Sequence, residues 1–108
     1  MALVVITVPP APTDEAMYDA VNAKLGDDWP EGMIVHTSGR NEDGEFQIID
    51  VWESREAHDR FSQGRLWDAI KAVASERGID AGDAPEPRRV FYETHSLMVR
   101  QPQQAAAH

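Results

Sequence analysis

The 108-residue chain contains no cysteine, so disulfides, thiol nucleophiles, iron–sulfur ligation and thiolate zinc sites are excluded. Basic residues are scarce: 10 Lys and Arg stand against 19 Asp and Glu, a formal charge of −9. That balance repels nucleic-acid phosphates and anionic membrane, and neither is expected as a partner. No apolar run approaches the roughly 20 residues that a bilayer-spanning helix needs. The opening Ala2–Val8 segment lacks the basic lead and small-residue cleavage site of an export signal, so a cytoplasmic protein is expected. A phosphate-cradling glycine loop is also missing, because Gly39-Arg40-Asn41-Glu42-Asp43-Gly44 is flanked by acids and opens no helix. Nicotinamide, flavin and nucleotide cofactors therefore have no support. His36, His58, His95 and His108 show no ligand-like spacing, and the acidic loops lack the register of a calcium loop, so no metal is expected either.

What remains is chemistry on histidine, carboxylates and aromatics. The chain is 42% hydrophobic and long enough for one compact domain. That domain is expected over residues 1–98, with 99–108 a flexible tail that has nothing to bury. Leu3–Val8 is β-branched and apolar, a strand that Pro9-Pro10 ends. Thr13 then offers a cap, and Met17, Val21 and Leu25 form one helical stripe, so a helix is expected from Asp14 to Leu25 with Gly26 closing it. Met33–Ser38 and Phe46–Trp52 are β-rich runs around a polar turn, which predicts a hairpin. Ser54 is placed to cap a second helix carrying Ala57, Phe61, Leu66, Ile70 and Val73, broken or kinked at Gly64 and ending near Arg77-Gly78. After a proline-containing loop, Arg88–Met98 returns to β composition as the last strand.

The order β-α-β-β-α-β predicts an α+β, ferredoxin-like domain: a four-stranded antiparallel sheet with two helices on one face. The other face is then bare, yet the strands carry apolar residues at both parities, Val4 and Ile6 against Leu3 and Val5, Ile49 and Val51 against Phe46 and Ile48. A sheet-to-sheet homodimer is the expected cover.

Asp50-Val51-Trp52-Glu53-Ser54-Arg55-Glu56-Ala57 with Phe61, together with Gly32-Met33-Ile34-Val35-His36, resembles the antibiotic-biosynthesis-monooxygenase-like group of dimeric α+β barrel proteins. The resemblance runs from about Leu3 to Met98. It implies sheets paired into a barrel and, among the activities of that architecture, cofactor-free oxygenation of phenolic polyketides, haem degradation, cyclisation or isomerisation. Haem-degrading relatives place an axial histidine in the second helix, where this chain has Lys71, which disfavours haem breakdown. Many monooxygenase-like members have a histidine where this chain has Phe61, while their acid two residues before the aromatic is kept as Asp50.

His36 lies in an otherwise apolar strand, where an imidazole of near-neutral pKa can deprotonate a phenol or an activated carbon acid. Ile34 and Ser38 are expected on its side of the sheet. Asp50, among Phe46, Ile48 and Trp52, needs a partner: either His36 across the hairpin, as the orienting member of a carboxylate–imidazole pair, or Arg55, Arg60 or Arg65 at the sheet rim. Parity alone leaves that register open. Trp52, Phe61, Trp67 and Tyr92 are the aromatics available to line a flat substrate pocket, with ordinary core the competing reading for Trp52 and Phe61. Glu93 and His95 share a strand face as a relay or interface pair. The expected function is thus a small-molecule enzyme, a cofactor-independent monooxygenase of an aromatic or polyketide-like substrate with His36 as base. The alternatives are a non-oxidative cyclase or isomerase, or a non-catalytic small-molecule-binding or stress-associated dimeric barrel.

Overall fold

The computed structural model describes residues 2–10, 15–83 and 85–100. Thr13, Asp14 and the 101–108 part of the expected tail lie outside them. In chain order the elements are β1 (Leu3–Val8), α1 (Glu15–Leu25), β2 (Met33–Arg40), β3 (Phe46–Trp52), α2 (Arg55–Gln63), α3 (Arg65–Glu76), a short 3-10 turn (Ala81–Asp83) and β4 (Arg88–Glu93). The four strands form one antiparallel sheet in the order β2-β3-β1-β4, the split arrangement that the element order predicts. Among the described residues no helix is long and apolar enough to cross a membrane.

Register fixes the faces. Leu3, Trp52 and Glu93 stand side by side across the sheet, as do Val5, Asp50 and Phe91, then Thr7, Ile48 and Arg89. The helices cover this face. Val4, Val51 and Tyr92, with Ile6, Ile49 and Val90, form the opposite one.

Two cores result. Leu3, Val5, Met33, Trp52 and Ala57 are buried between the sheet and α2, with Phe61 and Phe91 packed against them. Val21, Ala69 and Val73 are buried between α1 and α3, backed by Met17, Leu25, Leu66 and Ile70. The two groups share no residue, so α1 and α3 use their apolar stripes largely on each other.

The second helix is divided. The Ser54 side chain accepts from Ala57 N at 3.1 Å and starts α2, as its sequence position predicts. At Gly64 the chain turns and α3 begins, because a Cβ there would lie 2.9 Å from the Arg60 carbonyl oxygen. The last strand is shorter than its composition predicts and ends at Glu93. Beyond it Thr94 donates to the Ala2 carbonyl from its backbone N–H and its hydroxyl, at 2.8 and 3.2 Å. His95 lies past that end, so it does not alternate with Glu93 as a strand pair.

Gly32 is the one glycine whose hydrogen is required twice over. Its φ is +86°, and an added Cβ would stand 2.6 Å from Ala57 Cβ. Gly32→Ala is therefore expected to cost more than about 2 kcal/mol, combining left-handed strain with a clash in the core. Thermal unfolding of the variant against Gly26→Ala, whose position has no neighbour within 4 Å, checks it: equal losses would contradict the packing argument.

Candidate active site

β2 carries a bulge between Met33 and Val35, leaving Ile34 without a partner across the ladder. Ile34 therefore does not share the His36 side by simple alternation. After the bulge the register is regular, and His36 stands directly opposite Asp50. The turn sets this register: the Asn41 side chain accepts from the amides of Asp43 and Glu45 at 2.9 Å each, and Gly44 takes φ +81°. With Arg40 thereby opposite Phe46, the pairing carries to Ser38–Ile48 and His36–Asp50.

The His36 Nδ1–H donates to Asp50 Oδ1 at 2.5 Å. A carboxylate only accepts, so it fixes the proton on Nδ1 and turns Nε2 outward. Nε2 meets the hydroxyl of Tyr18 from α1. The two rings lie within 4° of parallel, and the Phe46 ring meets Tyr18 edge-on at 5.4 Å. Tyr18, His36 and Asp50 form a chain from helix to sheet. The carboxylate side chain is 15% exposed and the imidazole 29%, so the acid is covered and the ring is reached from solvent.

Electrostatics follow from the chain. The Asp50 hydrogen bond raises the His36 pKa to about 9; burial opposes it, and the Tyr18 hydrogen bond adds to it. For Tyr18, burial favours the neutral phenol, but hydrogen bonding with Ser38, Asn22 and His36 and the nearby imidazolium charge outweigh it and hold the pKa below the usual phenol value. The two groups share a proton path and titrate as a pair. At neutral pH the imidazole holds its second proton, and the ring becomes a base on losing it.

Among the described residues no arginine pairs with Asp50. Arg55 bridges Asp59, Arg60 approaches Glu56 and Glu31, and Arg65 donates to the Leu25 and Asp28 carbonyls. The geometry thus brings His36 and Asp50 together.

The four aromatics do not form one wall. Trp52 is fully buried and Phe61 packs on it with ring centroids 5.5 Å apart, both in the core beneath α2. Trp67 sits on the outside of α3, with the Lys71 ammonium 5.8 Å from its ring centroid. Tyr92, paired with Val4, projects from the opposite sheet face and is 53% exposed. Trp52, Phe61, Trp67 and Tyr92 therefore do not share one pocket; the aromatic ring against His36 is that of Tyr18, which Phe46 meets in turn. Tyr18 was legible in one respect: with Asn22 at i+4 it forms a polar-tipped row next to the Met17–Val21–Leu25 stripe.

No family model matches the chain, and no curated protein matches it. Solved structures do. A candidate antibiotic biosynthesis monooxygenase from Chloroflexus aurantiacus J-10-fl is 18% identical with a TM-score of 0.52, over 90% of this chain and 98% of that one. SnoaB, a cofactor-independent oxygenase from Streptomyces nogalater solved as a point mutant, is 15% identical with a TM-score of 0.55, over 92% and 97%. The NE2512 protein of unknown function from Nitrosomonas europaea is 11% identical with a TM-score of 0.60, over 94% and 95%. The chain has the fold of the antibiotic-biosynthesis-monooxygenase-like proteins. At these identities the likeness speaks to fold, and chemistry has to be argued from the site.

Proposed function

We propose that the protein is a cofactor-independent monooxygenase of an aromatic or polyketide-like substrate, with the Tyr18–His36–Asp50 chain as its proton-handling group. The observation that carries this reading is the His36–Asp50 pair, a half-open imidazole held at Nδ1 by a covered carboxylate. Supporting it is the fold shared with SnoaB, a cofactor-independent oxygenase.

In this reading His36, in its neutral form, accepts a proton from a phenol or from the activated CH2 of an anthrone-like ring, and Asp50 stabilises the imidazolium that forms. The carbanion gives one electron to O2, and superoxide and the carbon radical combine to a peroxide. Reprotonation and loss of water leave a carbonyl, with one oxygen atom in the product and one in water. The protein contributes orientation and a base. Tyr18, whose hydroxyl stands against Nε2, relays the proton between the substrate oxygen and His36. The bare sheet face, where Val90 is 58% and Tyr92 53% exposed, is the surface through which two copies pair. Trp67 and Tyr92 are then outside the substrate site.

The reading is tested by oxygen uptake on a test anthrone or quinol. The protein is expected to consume one O2 per substrate, with one labelled oxygen atom incorporated, and Tyr18→Phe to lower the rate at least about tenfold. Turnover without O2 uptake would replace the oxygenase with the cyclase or isomerase. A non-catalytic binder is favoured by Phe61, packed in the core at the place where many resembling proteins have a histidine; tight substrate binding without turnover would establish it.

A further inference from the structure

A second proton path lies on α2, away from His36. His58 is a histidine only 5% exposed, set among aromatic rings: Trp52 at 5.7 Å and Phe91 at 5.3 Å between centroids, each nearly perpendicular to it. Both of its nitrogens are engaged, and by groups of different kind. Nδ1–H donates to Asp59 Oδ1 at 2.9 Å, while Nε2 faces the Ser62 hydroxyl at 3.2 Å. The carboxylate fixes the proton on Nδ1, so Nε2 is left as an acceptor and the Ser62 O–H donates to it. The same Asp59 oxygen also accepts from Arg55 Nε at 3.2 Å, and the Arg55 guanidinium lies 3.8 Å over the Phe91 ring. The His58 hydrogen bond keeps the Asp59 carboxyl below its usual range; burial opposes it, and Arg55 adds to the lowering.

We propose that Ser62, His58 and Asp59 form a second, nucleophilic site that takes acyl groups from small activated esters. The order of roles, hydroxyl to Nε2 and Nδ1–H to carboxylate, is that of a serine nucleophile with an oriented base. Ser62 occupies the last turn of α2 and is half-buried, and Gly64, two residues on, has no side chain to obstruct it. No side chain caps the first turn of α3, which begins three residues after Ser62. The Trp52 indole nitrogen, buried and without a hydrogen-bond partner among the described residues, belongs to the ring that meets His58.

The Ser62 oxygen adds to the ester carbonyl carbon as its proton passes to His58 Nε2. The tetrahedral oxyanion collapses, the bond to the leaving oxygen breaks, and that oxygen takes the proton from His58, leaving an ester on Ser62. Water then repeats the sequence, giving its proton to His58 and releasing the carboxylic acid and free Ser62.

The test uses the full chain with p-nitrophenyl acetate and, separately, a fluorophosphonate, followed by intact mass and peptide mapping. One modification per chain, on Ser62, is expected. Ser62→Ala should abolish it, and His58→Gln should slow it about 100-fold. Asp59→Asn should slow it and displace its pH profile, while Tyr18→Phe leaves it unchanged and so separates it from the His36 site. No modification of the folded protein, modification elsewhere, or Ser62 labelling at full rate in Asp59→Asn or His58→Gln overturns the proposal. Should His58→Gln fail to fold, Ser62→Ala and Asp59→Asn, both at less buried positions, decide it.

Discussion

Replacing Trp52 by alanine is expected to cost about 3–5 kcal/mol, a large share of the roughly 5–15 kcal/mol that typically holds a domain of this size. Trp52 is fully excluded from solvent and joins every part of the sheet-side core. It pairs with Leu3 on one side and Met33 on the other, and its ring meets Phe61 and His58 at 5.5 and 5.7 Å. Trp52→Phe is expected to cost less than about 2 kcal/mol, since it leaves a smaller cavity and removes an indole N–H that has no hydrogen-bond partner. Urea unfolding of the two variants side by side checks this. Equal losses would mean that the indole nitrogen has a partner, or that the ring volume is not what matters.

The second large effect concerns turnover. His36→Gln is expected to lower oxygen uptake about 100- to 10,000-fold, the usual contribution of a positioned base. Glutamine keeps a donor toward Asp50 but cannot accept a full proton. Asp50→Asn acts differently. It removes the main cause of the raised His36 pKa, the charge-assisted hydrogen bond, and leaves burial, which lowers the pKa, against the Tyr18 hydrogen bond, which still raises it. In the parent, activity that needs the neutral ring rises with pH through about 9. In Asp50→Asn the rise moves down toward or below the ordinary histidine value of about 6.5, with a lower plateau because the ring is no longer oriented.

Stability follows the same group with the opposite trend. The folded pKa of about 9 lies above the ordinary 6.5, so the protonated ring favours the folded state. This contribution is fully present below pH 6.5 and is lost as pH rises through 9. It amounts to at most about 3 kcal/mol, and Asp50→Asn should remove that pH dependence.

Much of this was legible in the residues. The β-branched runs, Pro9-Pro10, the Ser54 cap and the Gly64 break each act locally, through steric limits or one hydrogen bond, and the elements stand where those limits put them. The His36–Asp50 contact was half legible. Parity allows it, but only the turn closed by Asn41 selects it from the neighbouring registers. Tyr18 was not seen as its partner, because which helix residue meets a strand depends on how α1 is placed over the sheet. The polar row of Tyr18 and Asn22 marks the face without naming the target. Tyr92 was misplaced by composition: an aromatic in a strand reads as pocket until register assigns its face, and pairing with Val4 sends it away from the helices. The early end of β4 at Glu93 is not announced by composition, because Leu97, Met98 and Val99 follow it in the sequence.

The most direct measurement is an NMR titration of the His36 ring in the folded protein and in Asp50→Asn, which needs no substrate. The Tyr18–His36–Asp50 chain predicts a midpoint near 9 in the parent and a fall toward the ordinary histidine value in the variant. A parent midpoint at or below the ordinary 6.5 or so, or one that Asp50→Asn leaves in place, would contradict the site at its foundation.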